Sequence, residues 1–140
     1  MDPSTVVYDA VMADNPRRGE LSGLHVVTVE DNSDARGILK AVLEYFGAFV
    51  TSTETAGEAL RLLRQSAPDV VIADVHLPDH DARWLLREAE NIRSAAPFIA
   101  VSAEDLDALE LAQHGFDAFL RKPIDHHRLI EAVLAVVRRR

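Results

Sequence analysis

From Leu24 onward, two kinds of hydrophobic run alternate along the chain. The first kind is short and nearly continuous: LHVVTV (24–29), AFVTS (48–52), DVVIA (69–73), PFIAVS (97–102) and AFL (118–120). Such runs, bounded by turn formers, predict strands. The second kind is spaced at three and four residues and predicts helices. Ile38, Leu39, Val42, Leu43 and Phe46 fall on one side of a helix over 33–46, closed by Gly47. Thr55 and Glu58 form a T-x-x-E capping box ahead of ALRLLRQ. Trp84, Leu85, Ala89 and Ile92 face inward from a helix over 82–93, and a weaker helix covers 104–113, up to Gly115. Asp125 caps a last helix, with Leu129, Ile130, Val133, Leu134 and Val137 on one face.

The result is five strand–helix units in strict alternation, joined by short connections. Strands that are apolar on both sides are expected where both faces of a sheet are covered. The fold class is therefore α/β, a doubly wound parallel sheet. Residues 1–23 break the pattern and end in ADNPRRGELSG, rich in turn formers and charge. They read as an N-terminal arm or linker, with one short helical turn around TVVYDAV, ahead of a domain over 24–140.

Composition narrows the function. The 140 residues make one domain, and an apolar fraction of 48% supplies a core. The net charge of −8 speaks against broad nucleic-acid or lipid binding, and Arg138 to Arg140 read as a solvated helix end. With no cysteine, disulfides, thiolate metal sites and Cys nucleophiles are excluded, and a reducing compartment fits. No apolar run reaches the ~18 residues of a membrane span, and the N-terminus has no basic signal region. A cytoplasmic location is the expectation.

Doubly wound sheets build their sites outside the carboxyl ends of the strands. There, strand one leads into Glu30 and Asp31, strand three into Asp74, strand four into Ser102 and strand five into Lys122-Pro123. Three carboxylates on one rim repel unless a cation offsets them. With oxygen ligands and no thiolate, that cation is Mg²⁺. A magnesium ion beside a nucleophilic carboxylate and a lysine is apparatus for accepting a phosphoryl group. Taken singly, each residue has a plainer explanation. Asp74 can be a turn residue, Glu30 and Asp31 can favour a helix dipole, Ser102 can be a cap and Lys122 a surface lysine. His126 and His127 read as solvated. Gly37, costly inside a helix, marks either close packing or a partner contact.

Taken in order, these residues resemble the receiver domain of two-component response regulators, over about Leu24 to Arg138. The resemblance is carried by Glu30-Asp31, by D-V-H-L-P from Asp74, by Ser102-Ala103, by Phe119 three residues before the lysine, and by Lys122-Pro123. It implies a flavodoxin-like (βα)5 fold with strand order 2-1-3-4-5. It also implies phosphotransfer to Asp74 from a histidine kinase, a histidine phosphotransfer protein or a small phosphodonor. Ser102, Ala103, Lys122 and Phe119 would then bind phosphate and switch the face of helix four, strand five and helix five. A downstream protein partner, or a second copy in a phosphorylation-linked homodimer, would dock on that face, with no direct nucleic-acid or membrane partner. The departures are Glu30 where the family usually has aspartate, Ser102 where threonine is also common, Ala82 where glycine often follows, and a variable position at His76. None removes a required functional group.

On this reading Glu30, Asp31, Asp74 and the backbone carbonyl of His76 bind Mg²⁺. His76 and Glu104, two residues past Asp74 and Ser102, face each other across the mouth of the site. There they tune the life of the phosphoryl group, or His76 is simply a solvated loop residue. The chain is then not a turnover enzyme on an external substrate. A Mg-dependent phosphohydrolase with an aspartyl nucleophile would need a second general acid near position 76 and a cap domain. A nucleotide or flavin module would need a glycine-rich turn in place of VEDNSDARG. No output domain follows within these residues, so the chain reads as a stand-alone regulator or as the receiver segment of a hybrid histidine kinase.

Overall fold

Residues 16–138 are described by the computed structural model, and in them the two kinds of run become strands and helices in turn. The order is β1 (His25–Val29), α1 (Ser33–Tyr45), β2 (Phe49–Thr53), α2 (Ala56–Gln65), β3 (Val70–Asp74), α3 (Ala82–Asn91), β4 (Phe98–Ser102), α4 (Ala108–Gln113), β5 (Ala118–Arg121) and α5 (His126–Arg138). The helical turn expected around residues 5–11, and the last two arginines, lie outside the described residues. The five strands pair in parallel in the order β2-β1-β3-β4-β5, as expected.

Side-chain alternation along the strands sorts the core onto the two faces of the sheet. Val26, Val70, Ile72, Ile99 and Val101 meet Leu43 and Phe46 at α1 and Leu129, Ile130 and Val133 of α5. Val27, Val29, Val71, Ala73, Phe98 and Ala100 meet α2, α3 and α4 through residues such as Leu63, Leu85 and Leu111. The chain moves outward from β1 to β2 and then crosses back to β3, so strand order reverses between β1 and β3. That crevice is where such sheets place their ligands.

Polar side chains start the helices by accepting from backbone N–H groups that have no partner within the helix. Asn32 accepts from Ala35 at 2.9 Å, Thr55 from Glu58 at 3.1 Å, Asp81 from Trp84 at 2.9 Å and Asp125 from Arg128 at 3.1 Å. The fourth helix begins at Ala108, four residues later than expected. Ser102 Oγ accepts from Glu104 N at 3.0 Å and holds a turn there, while Asp107 supplies the cap. The inward stripe of α1 is narrower than expected, since Ile38 is 57% exposed while Val42, Leu43 and Phe46 are buried. Successive helical residues are turned by about 100°, which carries Ile38 off the face that its neighbour Leu39 shares. On α5 it is Val136, not Val137, that is buried. His126 is half-buried and stacks on Phe46, so of the histidine pair only His127 is solvated. A side chain built at Gly37 would meet nothing within 4 Å, which removes close packing as the reason for that glycine.

The segment before β1 is part of the packed unit. Leu21 is fully buried among the residues between α1 and α5, and its N–H donates to Phe46 O at 2.8 Å. Arg17 reaches Glu131 of α5 at 3.0 Å. Gly47 has φ +104, and a Cβ there would stand 2.5 Å from Ser22 Oγ, so only glycine satisfies both the turn and the close approach. Truncating a buried leucine to alanine costs about 2–5 kcal/mol. Leu21→Ala should lose stability on that scale in urea unfolding, and a change below about 0.5 kcal/mol would show that Leu21 is not part of the core.

Candidate functional site

Backbone ladders carry the rim residues to their places. Glu30 N donates to Thr53 O at 3.0 Å and Lys122 N to Ser102 O at 2.8 Å, extending the β1–β2 and β4–β5 ladders by one residue each. Asp74, the last residue of β3, stands in register with Val101 of β4. These three tips converge. Lys122 Nζ lies 2.6 Å from Glu30 Oε1 and 2.6 Å from Asp74 Oδ2. The second carboxylate oxygen of Asp74, Oδ1, accepts from His76 N at 2.8 Å.

Burial and charge set the protonation of this group. Burial pushes the Glu30 carboxyl above its usual range; the Lys122 hydrogen bond pulls it back and Asp74 pushes it up again, with a net rise. For Lys122, burial acts downward but is outweighed by the hydrogen bonds and charges of Asp74 and Glu30, so its pKa rises. Lys122 is therefore an ammonium ion, and both contacts are charge-assisted. Glu30 is 3% exposed, and its Oε2 is buried without a hydrogen-bond partner.

Lys122 joins Glu30 and Asp74 into a pair of carboxylates, and Asp31 is exposed beside Glu30 and outside that contact. Among the described residues no three His, Cys, Asp or Glu side chains are gathered closely enough to hold an ion. The amine itself sits between Glu30 and Asp74, where a cation was expected. The donors nevertheless suit Mg²⁺. They are hard oxygens, one buried oxygen of Glu30 has no partner, and Asp31 follows on the same rim.

Ser102 is buried and holds Glu104 N, while its hydroxyl hydrogen stays free to donate. Ala103 is exposed beside it. Phe119 is half-buried against the cluster that includes Phe98 and Leu111. His76 Nε2 lies 3.4 Å from Glu104 Oε1 with both side chains largely exposed, so the two face each other as expected.

Two residues that sequence reasoning passed over organise the loops. Arg36 Nη1 donates to the carbonyls of Glu30 (3.0 Å) and Asp31 (3.2 Å), and its Nη2 pairs with Glu54 at 3.3 Å. The available signal was an arginine one helical turn after an acidic pair. Asp79 accepts from Ala56 N at 3.0 Å and Gly57 N at 2.9 Å, across 23 and 22 residues of sequence. Nothing local in the sequence announces that pairing.

Comparison with known proteins identifies the family and the fold. The family model described as response regulator receiver domain matches residues 26–134. The virulence transcriptional regulatory protein PhoP of Salmonella choleraesuis (strain SC-B67) is 32% identical over 118 residues, which is 83% of this chain and 53% of PhoP. The sensor protein GacS of Pseudomonas syringae pv. syringae is 33% identical over 78% of this chain and 13% of its own length. The chain thus spans about half of the one relative and a small part of the other. Among solved structures, the receiver domain of sensor histidine kinase PA1611 from Pseudomonas aeruginosa PAO1 superposes with a TM-score of 0.76 at 25% identity. The match covers 83% of this chain and 98% of that one, which holds a magnesium ion coordinated in its active-site cleft.

The Asp79 bonds generate a pH dependence. Burial raises its pKa, but the N–H groups of Gly57, Ala56, His80 and its own residue outweigh that, and the carboxyl sits below its ordinary value. A carboxylate depressed in the fold contributes stability that is present above the unfolded pKa of ~3.9 and lost as pH falls through the folded value. The urea midpoint of Asp79→Asn should therefore fall less steeply than that of the wild type below about pH 4. Parallel slopes would show that the ionised form has no special part in the cap.

Proposed function

The chain belongs to the response regulator receiver domain family, and we propose that it is a phosphoacceptor switch whose acceptor is Asp74. The observation that carries this reading is the Lys122 ammonium held 2.6 Å from the Asp74 carboxylate at the tip of β3. A carboxylate oxygen of Asp74 attacks the phosphorus of a phosphohistidine. The P–N bond breaks with its electron pair returning to the imidazole, and a P–O bond forms as an acyl phosphate. Lys122 and the Ser102 hydroxyl then face the new phosphoryl oxygens, offsetting charge and donating a hydrogen bond. Glu30, Asp31, Asp74 and the carbonyl of His76 would hold Mg²⁺, which when bound neutralises charge on the phosphoryl oxygens. Support comes from the unpartnered Glu30 Oε2 and from the magnesium in the PA1611 receiver.

The donor is a histidine kinase or histidine phosphotransfer protein, and the product is a changed surface, not turnover of an external substrate. Withdrawal of Lys122 and Ser102 toward the phosphoryl group would bias Phe119 between two positions and reshape the face of α4, β5 and α5. The phosphoryl group must bind one arrangement better than the other for this to switch anything. A downstream protein, or a second copy, docks there. The similarity to GacS supports a second setting, in which this receiver is one segment of a hybrid sensor kinase. No helix among the described residues is long and apolar enough to cross a membrane, and a cytoplasmic site of action is part of the proposal.

Wild-type protein with acetyl phosphate and Mg²⁺ should take up close to one phosphoryl group per chain, and Asp74→Asn should keep the fold and take up none. Labelling of Asp74→Asn at the wild-type level would overturn the assignment. His76 and Glu104 flank the path of water to phosphorus on the side away from Asp74. His76→Ala and Glu104→Ala should each change the decay rate of the phosphorylated protein severalfold between pH 6 and 8. Decay rates that coincide for all three proteins would leave His76 as a solvated loop residue.

A further inference from the structure

We propose that Asp79 is a positioning residue for phosphoryl transfer, clamping the loop that carries Asp74 onto the start of α2. The inference rests on Asp74 as the acceptor. The loop over 75–81 joins β3 to α3. Its ends are fixed: Val75 N donates to Val101 O at 2.9 Å, Ala82 N to Val75 O at 3.1 Å, and Asp81 caps α3. Between those ends, His76, Pro78, Asp79 and His80 are exposed and Leu77 is half-buried. This stretch has the His76 N–H that orients Asp74 Oδ1. It reaches the β4–α4 loop through the exposed His76–Glu104 pair at 3.4 Å. It reaches α2 through Asp79, with both carboxylate oxygens engaged.

The receiving end is built for that carboxylate. Thr55 takes the N–H of Glu58, and Asp79 takes those of Ala56 and Gly57, so three donors at the start of α2 are paired by two side chains from different loops. A Cβ at Gly57 would stand 3.2 Å from Asp79 Oδ2, so the glycine leaves room for the approach. The helix behind it is anchored in the core by Ala56, Ala59, Leu60 and Leu63. The interaction also places the charge of Asp79 at the positive end of α2. On the other side of the same turn, Glu54 pairs with Arg36, which holds the carbonyls of Glu30 and Asp31. The acidic loop and the acceptor loop therefore both hang on residues 54–57, which supply no side chain to the phosphoryl site.

The test compares two caps of one helix. Asp79→Ala releases the loop and uncaps two donors. Thr55→Ala uncaps a neighbouring donor and leaves the loop tied. Each full-length variant is treated with acetyl phosphate at fixed Mg²⁺, with thermal unfolding measured alongside. Misplacing a reacting group by about 1 Å can cost a hundredfold in rate, so loosening the loop should slow labelling of Asp79→Ala about tenfold. Thr55→Ala should stay within about twofold of wild type although it too is less stable. Asp79→Asn, which keeps one accepting oxygen, should fall between and serves if the alanine variant does not fold. Hydrogen exchange gives a readout independent of labelling. Asp79→Ala should speed exchange at Ala56, Gly57 and His76, whereas a helix cap with no role in the loop would speed the first two alone. Wild-type labelling rates in Asp79→Ala and Asp79→Asn, losses of rate that merely follow stability in both caps, or an unchanged His76 amide would overturn the clamp. A folded wild type that takes no label at all would instead overturn the acceptor reading.

Discussion

Glu30 and Asp74 can stand together only because the Lys122 ammonium stands between them. Two carboxylates on one rim repel, and one of them is almost fully buried, so the ionised pair would be costly alone. Residues 30, 74 and 122 are far apart in the sequence, and no local element brings them within reach. The parallel sheet does so by ending three strands at the same edge and extending two ladders by one backbone bond each. The geometry of the rim is thus a property of strand register. A slip of one residue would turn every rim side chain to the other face.

A rim made this way has precise strand tips and loose loops, and the loops are then restrained one by one. Ser102 holds Glu104, Arg36 holds the carbonyls of Glu30 and Asp31, and Asp79 holds α2. Each restraint is a polar side chain bonded to backbone, which fixes position without filling the crevice. These restraints lie around the rim, where Lys122 and the Ser102 hydroxyl are themselves held by side-chain hydrogen bonds.

Much of this was legible in the sequence because it was periodic or terminal. The five strands, the capping roles of Thr55 and Asp125, and the rim positions of Glu30, Asp74, Ser102 and Lys122 follow from apolar runs and from what ends them. What escaped was nonlocal or marginal. Asp79 binds donors more than twenty residues away, and Leu21 is buried by a segment whose composition is that of a turn. Ile38 obeys the helical period yet faces solvent, since the apolar stripe is wider than the sheet can cover. The cap of α4 is Asp107, which accepts from Leu109 and Glu110, and not Ser102, so the helix starts later than its apolar pattern suggests. Asp31 is expected beside its fellow carboxylates, and in the structure Lys122 contacts only the other two.

Leu21 also ties the segment before β1 to the far end of the helix that follows the acidic pair. Its N–H donates to Phe46 O at the end of α1, and Asn32, directly after the acidic pair, caps the start of that helix. At 13 residues that helix is a rod about 20 Å long, with residues 16–23 packed at one end and the rim residues Glu30 and Asp31 at the other. The segment before β1 is thus tied by packing to the same helix whose first turn follows Glu30 and Asp31.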